Sequence, residues 1–230
     1  MMRKMNLKKM AAEKAVEYVE DGMRVGLGTG STAYWAIKRI GERVREGMTI
    51  QAVATSKASE KLAAEEGIPL VPFHQLDGLD LTIDGADEVN PELSLIKGGG
   101  GALLREKIVA YHSKQLIIIA DEHKVVNTLG AFPLPVEIIP FAHEWTLGSL
   151  EKLGCSPQLR TDNDQLYVTD NGNYIADCRF GEIADPAKLH QQLLYIPGVV
   201  DNGLFIGMAD RAVIADSDGT VKIMERPLNR

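Results

Sequence analysis

The chain of 230 residues has only two cysteines, Cys155 and Cys178, and no long apolar run. The two cysteines lack the spacing of metal ligands, so we expect reduced thiols in a cytosolic protein and a cytoplasmic location. No segment approaches the ~20 apolar residues that a membrane-spanning helix needs. We therefore expect no membrane partner.

An excess of positive charge is also missing. The chain carries 25 Lys and Arg against 32 Asp and Glu, a formal net charge of −7. This balance argues against a nucleic-acid partner, although it does not exclude a small phosphorylated substrate. The basic start at residues 1–9 runs into an amphipathic helix instead of an apolar segment, so we expect no signal peptide.

Two common catalytic motifs are absent. The segment His143-Glu144-Trp145 lacks the second histidine of a zinc-protease helix, and the other histidines show no ligand spacing. No Gly-x-Ser-x-Gly nucleophile elbow occurs. We therefore predict no metal site.

The apolar pattern of the first half alternates between strand-like and helix-like periods. It predicts strands at 24–27, 49–54, 67–71, 79–83 and 115–119, and helices over 10–19, 31–44, 57–66 and 101–111. Ser56 is placed as a helix cap. This alternation predicts an α/β fold, with a Rossmann-like, mostly parallel sheet flanked by helices.

The pattern changes after Gly130 and predicts a smaller α+β, ferredoxin-like domain over 131–205. Its predicted elements are a strand at 136–139, helices over 143–153 and 186–194, a hairpin of 165–168 with 173–176 around Asn171-Gly172, and a strand at 196–200. Strands at 203–206 and 211–215 are expected to return to the first sheet. The larger, catalytic domain then comprises 1–130 and 206–230.

A first glycine-rich loop, Gly28-Thr29-Gly30-Ser31-Thr32, lies between a predicted strand and a predicted helix. Backbone N–H groups at a helix N-terminus bind anions, and the three hydroxyls suit a single phosphate. A tight turn and a dinucleotide fingerprint are the alternatives. The dinucleotide alternative is weaker because no acidic residue ends the second strand.

The segment Asp84-Gly85-Ala86-Asp87-Glu88 follows the strand predicted at 79–83. Ligands of open parallel sheets bind beyond the carboxyl ends of the strands, so these carboxylates are candidates for acid–base chemistry. The alternatives are an Asx turn and a magnesium site, and Lys97 nearby would compete with the metal.

The most informative segment runs from Lys97 through four glycines, Gly98-Gly99-Gly100-Gly101, to Glu106. Glycines bring bare backbone close to a ligand. A carboxylate can remove a proton next to a carbonyl while a lysine stabilises the oxygen that becomes negative. A solvated charge patch on a surface helix is the alternative, and the pKa of Glu106 stays open because the helix dipole and burial act in opposite directions.

These motifs resemble those of the ribose-5-phosphate isomerase type A family. The resemblance covers nearly the whole chain, since 132–137 and 196–200 are also similar to the smaller domain of that family. It implies interconversion of ribose 5-phosphate and ribulose 5-phosphate without a metal or organic cofactor. It also implies a homodimer or a tetramer built of dimers; we expect a homodimer, in which the smaller domain takes part.

The resemblance implies a role for each matching residue. Glu106 would be the base, Lys97 would steady the enediolate, and Asp84 would assist ring opening with Asp87 beside it. The implied substrate-binding residues are Lys8, Thr29, Gly30, Ser31, Thr32, Asp84, Gly85, Ala86, Asp87, Lys97, Gly98, Gly99, Gly100 and Lys124. Lys9 competes with Lys8 for the phosphate, and Lys124 could equally be solvated.

Two other functions compete with isomerisation. A sugar-phosphate-sensing domain of a regulator would bind without turnover, but it should be accompanied by a basic DNA-binding helix-turn-helix, for which this acidic chain has no room. A coenzyme A transferase would use the glutamate as a nucleophile and would not need the phosphate loop.

Overall fold

A computed structural model describes residues 6–226, which form six helices, two 3-10 turns and fifteen strands. The helices are α1 (Leu7–Val16), α2 (Ala33–Arg45), α3 (Lys57–Glu65), α4 (Leu103–Tyr111), α5 (His143–Glu151) and α6 (Pro186–Leu194). The strands are β1 (Arg24–Leu27), β2 (Gln51–Ala54), β3 (Leu81–Gly85), β4 (Glu88–Val89), β5 (Leu95–Ile96), β6 (Leu116–Asp121), β7 (Leu134–Ile138), β8 (Ser156–Leu159), β9 (Thr161–Asp162), β10 (Gln165–Leu166), β11 (Tyr174–Arg179), β12 (Val199–Asn202), β13 (Leu204–Phe205), β14 (Arg211–Ala215) and β15 (Val221–Glu225). Residues 1–5 and 227–230, the two ends of the predicted larger domain, lie outside the described residues. Within residues 6–226, no helix combines the length and the apolar character that crossing a membrane requires.

The larger sheet has the strand order β15-β14-β6-β3-β1-β2, and only the pair β14–β15 is antiparallel. This confirms the predicted α/β fold. Strand β6 is buried along its whole length. Ile117 and Ile119 join the apolar cluster that includes α1 and α2, whereas Ile118 joins the cluster on the other side. Alternate residues of a strand point to opposite faces, so both faces of this sheet are covered.

Three adjacent strands of this sheet position the candidate site. Strand β3 lies between β1 and β6, and all three run parallel. The loop from Gly28, the segment from Asp84 and the 3-10 turn Glu122–Lys124 therefore follow at one edge of the sheet. This carboxyl edge is where open parallel sheets bind ligands.

The second sheet contains four antiparallel strands in the order β12-β7-β11-β8. With α5 and α6, the chain order is β-α-β-β-α-β, which confirms the ferredoxin-like architecture. Helix α6 has the predicted bounds because Asp185 accepts a hydrogen bond from the Lys188 N–H and Pro186 occupies the first turn. The domain boundaries stay a prediction, and the apolar cluster of this sheet also takes in Ile96 and Leu129.

The predicted hairpin of 165–168 with 173–176 is wrong. The turn at Asn171-Gly172 does form, with the Gly172 N–H donating to the Thr169 carbonyl. However, β10 pairs with β9, and β11 pairs with β7 and β8. The reason is a buried carboxylate, Glu137, whose Oε1 accepts hydrogen bonds from Thr169, Asn171 and Asn173 and draws the turn onto β7.

Two other strand predictions are wrong. The segment 203–206 does not join the larger sheet, because β13 pairs with β5 in a three-stranded sheet with β4. The segment 67–71 makes only an isolated bridge between Leu70 and Ala52, since Pro69 has no N–H to donate. The first helix also ends earlier than expected, at Val16. The return of 211–215 to the larger sheet, as β14, is confirmed.

Candidate active site

A cavity of about 290 Å³ opens at the carboxyl edge of the larger sheet. Its lining residues are Lys8, Thr29, Gly30, Ser31, Thr32, Gly85, Ala86, Asp87, Lys97, Gly98, Gly99, Gly100, Glu106 and Lys124. The fold thus brings together every residue that the sequence nominated for the site except Asp84, which lies behind the wall.

One end of the cavity is the loop between β1 and α2. The N–H groups of Gly30, Ser31 and Thr32 have no acceptor among residues 6–226, and they lie just before the first turn of α2. Lys8 donates from Nζ to Ser31 Oγ at 2.8 Å. Free N–H groups, a helix N-terminus and an ammonium group together form an anion site.

Thr29 lines the cavity, but its hydroxyl is bonded on the side away from this anion site. Its hydroxyl lies 2.7 Å from Thr55 Oγ1 and 2.8 Å from Ser56 Oγ, and its N–H donates to Asp84 Oδ1 at 3.0 Å. Ser59 Oγ in turn donates to the Gly28 carbonyl at 2.7 Å. These hydroxyls tie the loop to β2 and β3. This role was not predicted, although the run of hydroxyl residues at the end of β2, Thr55-Ser56, was a visible signal.

The structure separates the two candidate lysines of α1. Lys8 lines the cavity, whereas Lys9 pairs with Glu13 at 3.5 Å on the outer face of the helix. Lys124 also lines the cavity, and its ammonium group lies 5.8 Å from the centre of the Phe132 ring. Lys8 and Lys124 therefore add positive charge around the cavity.

A buried ion cluster forms the other end of the cavity. Lys97 Nζ lies 3.0 Å from Asp84 Oδ2 and 3.2 Å from Glu106 Oε2, and it donates to the Gly85 carbonyl at 2.5 Å. The three charged side chains are each at most 3% exposed. Glu106 Oε2 has no partner in hydrogen-bond geometry within the described residues, so the Lys97 contact is a close ion pair without a formed hydrogen bond.

The charges of this cluster are strongly perturbed. Burial, and after it the negative charge of Asp84, raise the pKa of Glu106 to about 8 against the opposing effect of Lys97. Burial acts to lower the pKa of Lys97, but Asp84 and Glu106 outweigh it, so the pKa is raised above its ordinary value. Lys97 therefore stays an ammonium ion, while Glu106 exchanges a proton near neutral pH.

Two glycines are required where the acidic segment touches the glycine-rich segments. A Cβ at Gly28 would lie 2.2 Å from Asp84 Oδ1, and a Cβ at Gly99 would lie 2.5 Å from Asp87 Oδ1. The Gly99 N–H donates to Asp87 Oδ2 at 2.8 Å. Each carboxylate thus packs directly on bare backbone, and Asp87 is the one that reaches the cavity.

The described residues offer no ready place for a metal ion. Within 6–226, no three His, Cys, Asp or Glu side chains come together as metal ligands. The ammonium group of Lys97 occupies the space between the carboxylates of Asp84 and Glu106.

Comparisons with known proteins agree with this geometry. The family model of ribose 5-phosphate isomerase A (phosphoriboisomerase A) matches residues 51–219. A ribose-5-phosphate isomerase A from Bacillus mycoides (strain KBAB4) is 56% identical over 216 residues, which cover 94% of this chain and 98% of the relative. One from Bartonella bacilliformis is 50% identical over 231 residues, covering 98% and 99% of the two chains.

Solved structures give the same result. Ribose 5-phosphate isomerase A from Methanocaldococcus jannaschii superposes with a TM-score of 0.90 at 41% identity, covering 95% of this chain and 98% of that one. A D-ribose-5-phosphate isomerase in complex with phospho-erythronic acid superposes with a TM-score of 0.93 at 41% identity, covering 96% and 100%. The chain therefore belongs to the ribose 5-phosphate isomerase A family.

Proposed function

We propose that this protein interconverts ribose 5-phosphate and ribulose 5-phosphate by proton transfer through Glu106. One observation carries the proposal: the buried Lys97–Glu106 ion pair lies on the wall of a cavity whose other end is an anion-binding loop. Family membership and the ligand of the related structure, phospho-erythronic acid, support the same substrate class. No observation favours a regulator or a coenzyme A transferase.

The reaction begins with the open-chain aldose. The Glu106 carboxylate takes the proton from C2, the C1–C2 double bond forms, and the electron pair of the C1 carbonyl moves onto O1. The ammonium group of Lys97 stabilises this negative oxygen, which takes up a proton while the C2 hydroxyl loses one. Glu106 then returns its proton to C1 and leaves a ketone at C2. The proton count is unchanged, as an isomerisation requires.

Ring opening precedes this proton transfer. It needs a group that moves a proton between the anomeric hydroxyl and the ring oxygen. Asp87 lines the cavity and is the carboxylate we propose for this step. Asp84 lies behind Lys97, with Oδ1 bonded to the N–H groups of Thr29 and Gly85. Its expected share in ring opening stays a prediction, and its position favours a role in holding the ammonium group.

The phosphate occupies the opposite end of the cavity. The N–H groups of Gly30, Ser31 and Thr32, with the ammonium group of Lys8, provide its hydrogen-bond donors. Lys124 adds positive charge to the same cavity. Substrate is thus held at one end, while the reacting carbons lie beside Lys97 and Glu106.

A coupled assay tests this function directly. Purified protein is given ribose 5-phosphate in excess chelator, and formation of ribulose 5-phosphate is followed. We expect turnover that reaches the same equilibrium mixture from either sugar. Absence of turnover with both sugars would refute the proposed function.

We also propose a cytoplasmic homodimer in which residues 131–205 supply the interface. Phe141, Trp145 and Tyr195 are each more than four-fifths exposed. They lie near one end of the smaller sheet, where the Ile139 N–H donates to the Gly198 carbonyl. Exposed aromatic side chains are enriched at interfaces. Light scattering should give twice the chain mass, and Trp145→Ser should shift the protein towards monomer.

A further inference from the structure

Arg160, which follows β8 in the smaller sheet, reaches the glycine-rich segment of the active site. Its Nη1 donates to the Gly98 carbonyl at 2.8 Å and to the Gly99 carbonyl at 3.1 Å. Within residues 6–226, no other side chain bonds to these two carbonyls. Arg160 takes no part in the proton transfers of the proposed isomerisation.

The guanidinium group is itself held in place by the smaller domain. Nε and Nη2 of Arg160 donate to the two oxygens of Asp177, at 2.9 and 2.5 Å. The ring of Tyr167 lies 5.9 Å from the guanidinium carbon. A bidentate pair leaves the Arg160 side chain little rotational freedom, and only 15% of that side chain is exposed. Nη1 is thereby directed at the glycine carbonyls.

Peptide geometry transmits this contact to the cavity. In a trans peptide, the C=O and the N–H of the next residue point in opposite directions. The Gly99 N–H, opposite the Gly98 carbonyl, donates to Asp87 Oδ2. The Gly100 N–H, opposite the Gly99 carbonyl, has no acceptor among the described residues, and Gly100 lines the cavity.

We propose that Arg160 is a positioning residue for substrate binding. It holds the carbonyls of Gly98 and Gly99 so that the Gly100 N–H faces the cavity and donates to an oxygen of the bound sugar phosphate. The glycine-rich backbone samples many conformations when it is not held, so an external anchor is needed to keep one N–H in place. The substrate class in this inference rests on the proposed function.

The test uses three variants of the full chain. Arg160→Met removes the hydrogen bonds but keeps the aliphatic stem. Arg160→Lys keeps the charge but cannot bond both carbonyls and the carboxylate at once. Arg179→Met is the matched control, because Arg179 lines the same surface cleft as Arg160, together with Gly99 and Asp177, but makes no hydrogen bond to the glycine-rich segment. Binding of phospho-erythronic acid is measured by calorimetry, together with KM, kcat and Tm.

We expect Arg160→Met to weaken phospho-erythronic acid binding, and to raise the KM for ribose 5-phosphate, by about tenfold, the size of one charged hydrogen bond. Arg160→Lys should fall between this variant and the unmodified chain, and Arg179→Met should bind like the unmodified chain. A loss of folded protein alone would lower apparent kcat without changing KM or Kd. The KM shift therefore separates positioning from a structural role.

Binding of phospho-erythronic acid by Arg160→Met at unchanged affinity would overturn the inference. If this variant does not fold, Asp177→Asn loosens the guanidinium group with less damage, and unchanged affinity there has the same meaning. The outcome is distinguishable from failure of the proposed function. An unmodified chain that binds the acid but turns over neither sugar would refute isomerisation, while the binding series still tests Arg160.

Discussion

The two glycine-rich segments of the cavity differ in what holds them. The loop Gly28–Thr32 is held within the larger sheet: β1 precedes it, α2 follows it, and the hydroxyls at the end of β2 hold Thr29. The segment Gly98–Gly101 is held from both sheets, by Asp87 beside the larger sheet at one peptide and by Arg160 of the smaller sheet at two carbonyls.

The two segments also differ in the chemical groups that they offer to a ligand. The first segment offers neutral donors and an ammonium group to an anion, so it supports affinity. The second begins at Lys97 and leads into the helix that carries Glu106, so its two flanks are proposed to support turnover, while the Gly100 N–H between them is proposed to bind substrate. In the proposed function, phosphate binding and proton transfer therefore occupy opposite ends of one cavity. Substitutions of Glu106 and of the Gly28–Thr32 loop should therefore change different kinetic constants.

The largest effect is expected from Glu106→Gln, at the turnover end. Replacing the carboxylate with an amide of the same size removes the general base, and kcat should fall by ~10²–10⁴-fold. The coupled assay measures kcat, and calorimetry with phospho-erythronic acid measures binding, which should change little. Glu60→Gln, an exposed acid in the first turn of α3, is the matched control. Near-normal kcat in Glu106→Gln would show that Glu106 is not the general base.

The next prediction concerns the pH dependence of kcat/KM, which should follow the ionisation of Glu106 and not change with substitutions in the Gly28–Thr32 loop. Because burial raises the pKa of Glu106 to about 8, kcat/KM should rise with pH towards a plateau above that value. Below the pKa, the rate constant should change about tenfold per pH unit. A pH profile of kcat/KM measures this, and Thr32→Ala should keep the same midpoint. A flat profile between pH 6 and 8 would contradict the perturbed pKa.

The raised pKa of Glu106 also predicts how the free energy of unfolding changes with pH. Its pKa is about 8 in the folded chain against 4.5 ordinarily, so the folded state keeps a proton that the unfolded state has lost within this window. The contribution of Glu106 to the free energy of unfolding should therefore fall as pH rises from about 4.5 to about 8. Denaturant titrations across this range should show a fall that Glu106→Gln lacks.

A pair of alanine substitutions compares the glycines at the two ends. In Gly28→Ala, the new Cβ would lie 2.6 Å from the Asp84 Cα as well as against its carboxylate, so backbone must shift. We expect a loss of about 1–3 kcal/mol in the free energy of unfolding. In Gly99→Ala, only the Asp87 carboxylate must move. Activity should then fall with a smaller change in stability, as denaturant and kinetic titrations can measure.

The smallest effect is expected from Thr32→Ala, at the binding end. The Thr32 side chain lines the cavity, and its hydroxyl makes no hydrogen bond to residues 6–226. Removing one neutral donor should weaken sugar-phosphate affinity by about threefold to tenfold and leave kcat nearly unchanged. Thr32→Ser keeps the hydroxyl and is the control. A change confined to kcat would contradict the division between the two ends.

Local signals in the sequence were enough for much of the fold and the cavity wall. Helix α6 was predictable because Asp185 and Pro186 define its start. The anion loop was predictable because its glycines and hydroxyls are contiguous and lie between a strand and a helix. Lys97 and Glu106 were predictable because they flank one glycine run.

Long-range contacts were not predictable in this way. The turn at Asn171-Gly172 forms, but the strands around it pair elsewhere because buried Glu137 takes its donors. Strands β4, β5 and β13 have two residues each, too few to show an alternating pattern. Arg160 is far from the glycine run in the chain, and nothing in its local sequence indicates its partner.

Solvent-deuterium incorporation tests the central claim most directly, because it follows the proton that Glu106 carries. Ribose 5-phosphate is incubated with the protein in deuterium oxide, and proton magnetic resonance follows the reacting carbons of both sugars. We predict deuterium at these carbons with the unmodified chain and almost none with Glu106→Gln over the same time. Deuterium incorporation by Glu106→Gln at the unmodified rate would show that another group moves the proton.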